Sequence, residues 1–165
     1  MKQDTAPTLE EAIDKAERYC VRAERSERDI LRKCYDWRVD VAYHAEIVAH
    51  LRSQRYLDDE RFALAFTRDK HRFSGWGRQR LRQELRQHRI PEPVIAAAFA
   101  EVFAELDEDE QLRRVLETKC RQLKSQDPVR KRLDQLIRHG LYRGYSYERV
   151  RHISEQLIGQ ALDND

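Results

Sequence analysis

The sequence predicts an all-α chain of three tandem three-helix repeats, stacked as an elongated, curved array. Three observations predict it. With 38 % charged and 40 % hydrophobic residues in 165, the apolar side chains suffice for narrow stripes and small stacked cores, not for a sandwich or barrel. Only 5 Gly and 4 Pro punctuate the chain, which favours helices joined by short turns. Finally, nearly every segment beyond Pro7 follows the 3.6-residue period, and a triplet of such segments recurs.

Nine helices are expected, over residues 9–24, 27–37, 40–54, 59–73, 77–89, 92–105, 108–125, 128–143 and 147–162. In the sixth, Ile95, Ala98, Phe99, Val102 and Leu106 form one stripe; in the ninth, Val150, Ile153, Leu157 and Ala161 do the same. Helix starts carry matching chemistry. Asp58-Asp59-Glu60 offers a cap and acids for the positive end of the fourth helix, and Asp107-Glu108-Asp109-Glu110 does so for the seventh. Pro91 and Pro128 stand at or near helix starts, where a missing N–H costs nothing. Met1 to Ala6 carry no pattern and are expected to fray.

The repeat is read from constant spacing. Val39, Ile47, Val48 and Leu51 correspond to Ile90, Ala98, Phe99 and Val102, and these to Tyr145, Ile153, Ser154 and Leu157. The expected units are 7–56, 57–106 and 107–163. Gly140 stands where Cys34 and Leu85 stand in the other units, so the middle helix there is expected to kink or to shift phase by one residue.

Composition also excludes classes. No run approaches the roughly 18–20 apolar residues of a membrane helix, and the first twenty residues lack an apolar core of a secretory signal; a cytoplasmic protein is expected. Cys20, Cys34 and Cys120 lack C-x-x-C spacing and read as reduced structural thiols. Phosphate-loop, nucleophile-elbow and zinc-helix motifs are absent, and six scattered histidines make no ligand pair. No enzyme, cofactor or metal is expected.

Charge distribution points elsewhere. The net charge of +2 conceals eight Arg/Lys against two acids between Arg68 and Arg89, and six acids without a base between Glu101 and Glu110. At about 100° per residue, Arg78, Arg82, Arg86 and Arg89 share one stripe of the fifth helix, beside Leu81 and Leu85. Few acids lie at i±4 to neutralise it. Guanidinium groups suit phosphates or a partner's carboxylates. The candidate contact set is therefore Arg68, Lys70, Arg72, Arg78, Arg82, Arg86 and Arg89; the bland alternative is a solvated face paired with neighbouring helices. Trp76, in Phe73-Ser74-Gly75-Trp76-Gly77, reads as a plug between helices more than as a base-stacking platform, and Trp37 reads the same way.

Tyr56-Leu57-Asp58-Asp59-Glu60-Arg61-Phe62-Ala63, then Phe66-Thr67-Arg68-Asp69-Lys70, then Trp76-Gly77 and the stretch Leu81 to Ile90 with Glu84-Leu85 resemble the central block of the RecX regulatory proteins. Arg89-Ile90 stands for that family's usual Gly-Ile, and Leu81 for its usual Ile. Tyr142-Arg143-Gly144-Tyr145-Ser146 resembles, more loosely, its R-R-G-F-S segment. The resemblance implies three tandem three-helix repeats and a monomeric, non-enzymatic modulator, usually inhibitory, of ATPase and strand exchange by the RecA recombinase filament on single-stranded DNA, with direct DNA contact a further expectation. Asp58, Phe62, Ala63, Leu81 and Leu85 read as caps and core. The rival reading is a helical DNA-binding protein acting through the basic helix 77–89.

Overall fold

The computed structural model describes residues 6–163, and among them every regular element is an α-helix. In chain order these are α1 (Leu9–Val21), α2 (Glu27–Asp36), α3 (Val41–Ser53), α4 (Asp59–Ser74), α5 (Arg78–Gln87), α6 (Glu92–Glu105), α7 (Glu108–Cys120), α8 (Val129–Tyr142) and α9 (Tyr147–Asp163). The expectation of a frayed start lies, up to residue 5, outside the described residues.

Side-chain caps begin several of the helices. Thr8 and Ser26 each form a reciprocal capping box, with Glu11 and Asp29 respectively. Asp58 accepts from the Arg61 N–H at 2.9 Å, and Asp107 from the N–H groups of Asp109 and Glu110.

Two helices end earlier than the period suggests. Helix α1 stops at Val21, not residue 24, because Ser26 must adopt an extended backbone to cap α2, and Arg25 folds its guanidinium 3.9 Å from the Tyr19 ring centroid. Helix α7 stops at Cys120, not residue 125. Pro128 disfavours helical geometry at Asp127, and tight turns, Leu123 N–H to Cys120 O and Asp127 N–H to Lys124 O, fill the connection.

Equivalent positions are buried alike. Ile30, Leu81 and Leu136 are fully buried, as are Ala16, Thr67 and Leu116 in the preceding helices. The middle helices also end alike. Arg38, Arg89 and Gly144 take φ of 57°, 62° and 93°. The following residue then donates its N–H back five positions: Val39 to Cys34 O, Ile90 to Leu85 O and Tyr145 to Gly140 O, at 2.9, 3.1 and 3.2 Å. This is the left-handed C-terminal motif in which the last carbonyls are satisfied as the chain reverses.

Gly140 therefore neither interrupts α8 nor shifts its phase. Helix α8 runs unbroken to Tyr142, and the glycine allows close approach of α9: a Cβ there would lie 2.5 Å from Val150 Cγ1. The smaller residue marks the tighter contact.

By its internal contacts the chain divides into two units, one comprising the chain up to Ala65 with Leu85–Ala98, the other Phe66–Glu84 with the chain from Phe99 onward. The first has a core of Ala12, Ala16, Ile30, Cys34, Ile47 and Leu51; the second contains a core around Leu112, Leu116, Leu136, Val150, Ile153 and Leu157. Burying each Leu or Ile contributes about 1.5–3 kcal/mol.

Within both units the start of one middle helix meets the end of the next. In the first, Ser26 Oγ lies 2.7 Å from His88 Nδ1, and Arg28 Nη1 donates to Gln87 Oε1 at 3.3 Å. In the second, the N–H groups of Gly77 and Gln79 donate to Arg143 O and Gly144 O at 2.8 and 3.1 Å. Donors unpaired at a helix start thus find carbonyls from another helix's end, with the two dipoles aligned favourably. A Cβ on Gly77 would sit 2.6 Å from Gly144 O, so this backbone approach requires glycine.

Three cysteines are free, and Cys34 is buried. Burial pushes the half-buried Cys20 thiol up to about 11.

Gly140→Val is expected to lower stability by about 2 kcal/mol through overpacking, whereas Gly159→Ala, where a Cβ meets nothing within 4 Å, should raise it by about 0.5–1 kcal/mol; urea-denaturation midpoints measure both. At pH 8, alkylation of Cys20 should run about a hundredfold slower in the native protein than in denaturant, since a thiol two units above its ordinary 9.0 has that much less thiolate. Peptide mapping after timed iodoacetamide labelling reads the ratio.

Candidate partner-binding site

Five candidate cations, Arg68, Lys70, Arg72, Arg78 and Arg82, belong to the second unit, and Arg86 and Arg89 to the first. Helices α4 and α5 hold all but Arg89, which is the left-handed residue just past α5. Their surroundings differ from what a local count of neighbours suggests.

In the second unit the basic and acidic blocks meet. Arg78 Nε lies 2.6 Å from Glu108 Oε1, and Arg149 Nη1 reaches the other oxygen of that carboxylate at 3.2 Å. The Glu108 side chain is only 11 % exposed, so both arginines serve one half-sheltered charge. Arg78 also stacks 4.2 Å from the Phe103 ring centroid. Arg68 Nη2 lies 3.6 Å from Glu105 and 3.9 Å from Glu101. Lys70 and Arg82 turn to aromatic faces: Lys70 Nζ is 5.0 Å from the Trp76 ring centroid, and the Arg82 guanidinium 5.5 Å from Phe99. Arg72 is exposed, and its carbonyl accepts from Gln111 Nε2.

The first unit pairs its two in the same way. Arg86 Nε lies 2.9 Å from Glu92, and Arg89 Nη1 lies 3.1 Å from Glu27, whose second oxygen takes Arg52 Nη2 at 3.0 Å. The hydrogen bond from Arg52, with a further one from Arg89, holds the Glu27 carboxyl below the usual range.

The stripe is thus not a bare basic face. Its carboxylates lie outside the i±4 positions, six residues away for Arg86 and Glu92 and far along the chain for Arg78 and Glu108 or Arg89 and Glu27. Arg86 and Arg89 remain 62 % exposed, and surface pairs of this kind contribute about 0.2–1 kcal/mol each, so an incoming partner can exchange them at small cost.

Arg80, outside the candidate set, has a fixed role. Its guanidinium lies 4.2 Å from the Trp76 centroid and 4.8 Å from Tyr142, and Nη1 donates to Tyr142 O at 3.3 Å. Trp76 itself is half-buried, edge-on to Phe66 at 6.1 Å, and its carbonyl accepts from the buried His71 Nδ1 at 2.8 Å. It plugs, as does Trp37, edge-on to Tyr19 at 6.1 Å. Among the described residues no group of three His, Cys, Asp or Glu could hold a metal ion, and no helix is long and apolar enough to cross a membrane.

The family model for RecX, second three-helix domain, matches residues 58–99. The regulatory protein RecX of Vibrio campbellii is 38 % identical over 95 residues, which cover 58 % of each chain, and that of Serratia proteamaculans 33 % identical over 115 residues, covering 70 % of this chain and 66 % of that one. The chain belongs to the RecX family. The regulatory protein RecX of Oceanobacillus iheyensis aligns at 29 % identity over 84 % of this chain but 49 % of its own, so this chain spans about half the length of the first curated RecX relatives it matches. The crystal structure of RecX from Lactobacillus salivarius superposes with a TM-score of 0.71 at 19 % identity, over 90 % of this chain and 96 % of that one; a second crystal structure of regulatory protein RecX gives 0.74 at 23 %, over 88 % and 74 %. Both show the RecX fold.

The RecX-like motif residues are structural here. Asp58 caps α4, and Phe62, Ala63, Leu81 and Leu85 are buried. At the position where the RecX pattern has glycine, Arg89 takes the left-handed conformation itself, at φ 62°.

Because the Glu27 carboxyl is held below its ordinary 4.5 by Arg52 and Arg89, its contribution is full above pH 4.5 and disappears as pH falls through the lowered value. Glu27→Gln should therefore lower stability at pH 7 and flatten its decline toward pH 3. Urea midpoints taken across that range check the slope.

Proposed function

We propose that this chain acts without chemistry of its own, by binding a RecA recombinase filament on single-stranded DNA and modulating, usually inhibiting, its ATPase and strand exchange. The observation that carries the reading is family membership together with an arginine-rich surface held by exchangeable ion pairs. The contact set comprises Arg68, Lys70, Arg72, Arg78, Arg82, Arg86 and Arg89, and the repeats span 7–56, 57–106 and 107–163.

Guanidinium groups that already hold carboxylates within the chain can hand them over to a partner surface that offers both signs of charge. Such exchange keeps every charge paired in the free and bound states, which limits the desolvation cost of docking. It also suppresses indiscriminate binding to polyanions, since a phosphate must first displace a resident carboxylate.

Arg72 and Arg86 are exposed and make the cleanest test. Reversing Arg78 would set a new acid against Glu108 and confuse folding with binding. The variant R72E/R86Q, whose Gln sets no new acid against Glu92, is expected to melt within about 2 °C of the parent and to inhibit recombinase ATPase at least tenfold less well. Unchanged inhibition by the folded variant removes these arginines from the mechanism. Sedimentation with single-stranded DNA, alone and with recombinase plus a nonhydrolysable nucleotide, tests the partner: equal affinity in both arms would favour direct DNA binding.

A further inference from the structure

The second unit carries a basic surface distinct from the candidate set. The last turn of α4, one face of α7 and the end of α8 enclose an open cleft of about 320 Å³, and a second cleft of about 400 Å³ adjoins it, sharing Lys119 and His139. No carboxylate lines either cleft. The cations are Arg114, Lys119, Arg138 and Arg143. Among the described residues Arg114 is paired, with Glu110 one turn earlier, whereas Lys119, Arg138 and Arg143 have no carboxylate at ion-pair distance.

Arg143 is fixed in place. It donates Nη1 to the carbonyl of Ser74, and its own carbonyl takes the Gly77 N–H, so its guanidinium is anchored at the end of α4. That bond, with the one from Gln111 to Arg72 O, covers the negative end of α4 and leaves the cleft without a compensating partial charge. Burial first, then the charges of Arg143 and Lys119, hold His139 below its ordinary 6.5, as expected where positive charge is in surplus.

Two large aromatic rings stand open along the same surface. Phe73 lines the first cleft at 78 % exposure and Tyr142 the second at 71 %, the latter backed by the Arg80 guanidinium. Such exposure of Phe has no packing explanation. Open rings interleaved with unpaired cations are the combination by which proteins hold single-stranded nucleic acid, bases stacking while the backbone follows the charges. A duplex keeps its base faces inside and cannot use the rings; an acidic peptide could use the cations alone.

We propose that this surface binds single-stranded nucleic acid, with Lys119, Arg138 and Arg143 receiving phosphates and Phe73 and Tyr142 stacking bases. The site shares no residue with the arginine set above and does not rest on the recombinase reading.

The test uses the full chain without recombinase, and a fluorescein-labelled oligothymidylate of twelve nucleotides read by anisotropy. At 50 mM salt the parent is expected to bind it at least fivefold tighter than a duplex of equal length. The log–log salt slope should be about −2, as three phosphate contacts on a single strand predict. K119E/R138E should weaken binding at least tenfold with melting unchanged. Phe73→Ala should weaken it about fivefold or more, Phe73→Trp should restore it, and the new indole should be quenched on binding. No binding by the parent, unchanged binding by folded K119E/R138E, equal affinity for duplex, or equal competition by polyglutamate would each overturn the proposal. Recombinase ATPase measured on the same variants is a separate readout, so either reading can fail alone.

Discussion

Each three-helix repeat depends on one backbone event, the left-handed residue that ends its middle helix. Arg38, Arg89 and Gly144 reverse the chain so that residues ten positions apart, Cys34 and His44, Leu85 and Ile95, Gly140 and Val150, all become buried. Glycine takes this conformation without cost, whereas at Arg38 and Arg89 a Cβ must be tolerated. The bonds that follow, from Val39, Ile90 and Tyr145 to the carbonyl five residues back, hold it in place and return satisfied carbonyls to a crowded interior. Without that reversal the third helix could not present its apolar stripe to the other two.

The same helix ends join one repeat's chemistry to the next. At Gly77 and Gln79 the unpaired donors of a helix start are filled by backbone carbonyls. At Ser26 a hydroxyl and the His88 imidazole make the connection instead. The glycine pair of Gly77 and Gly144 permits the first arrangement, and a polar side chain serves in the second. Arginine is thereby committed to architecture: Arg80 between two rings, Arg143 at the end of α4, Arg61 against Glu24.

Most of the helical plan was legible because it is local. Caps at Thr8, Ser26, Asp58 and Asp107 and the 3.6-residue stripes lie within one turn of the residues they organise. Gly140 was misleading for a physical reason. In a linear pattern a residue without a side chain resembles a gap in the stripe, but in three dimensions it marks where Val150 comes closest. Charge was legible only as blocks. That Arg78 meets Glu108, Arg68 meets Glu101 and Glu105, and Arg89 meets Glu27 depends on folding, and no i±4 count contains it. The open rings of Phe73 and Tyr142 were equally hidden, since nothing local separates them from Phe62 and Phe99, which are buried.

Neutralised and unneutralised cations suit different partners. A cation that already holds a carboxylate gains little from a phosphate, because the old pair must be broken and the released acid then repels the newcomer. It gains more from a protein surface that supplies an acid for the arginine and a base for the freed carboxylate. Lys119 and Arg138 have no carboxylate to release when an anion arrives, and Arg143, held by the Ser74 carbonyl, adds a fixed charge beside them, so their attraction is available to a polyanion and is screened by salt. The paired stripe therefore favours a protein of mixed charge and the acid-free cleft a nucleic acid strand.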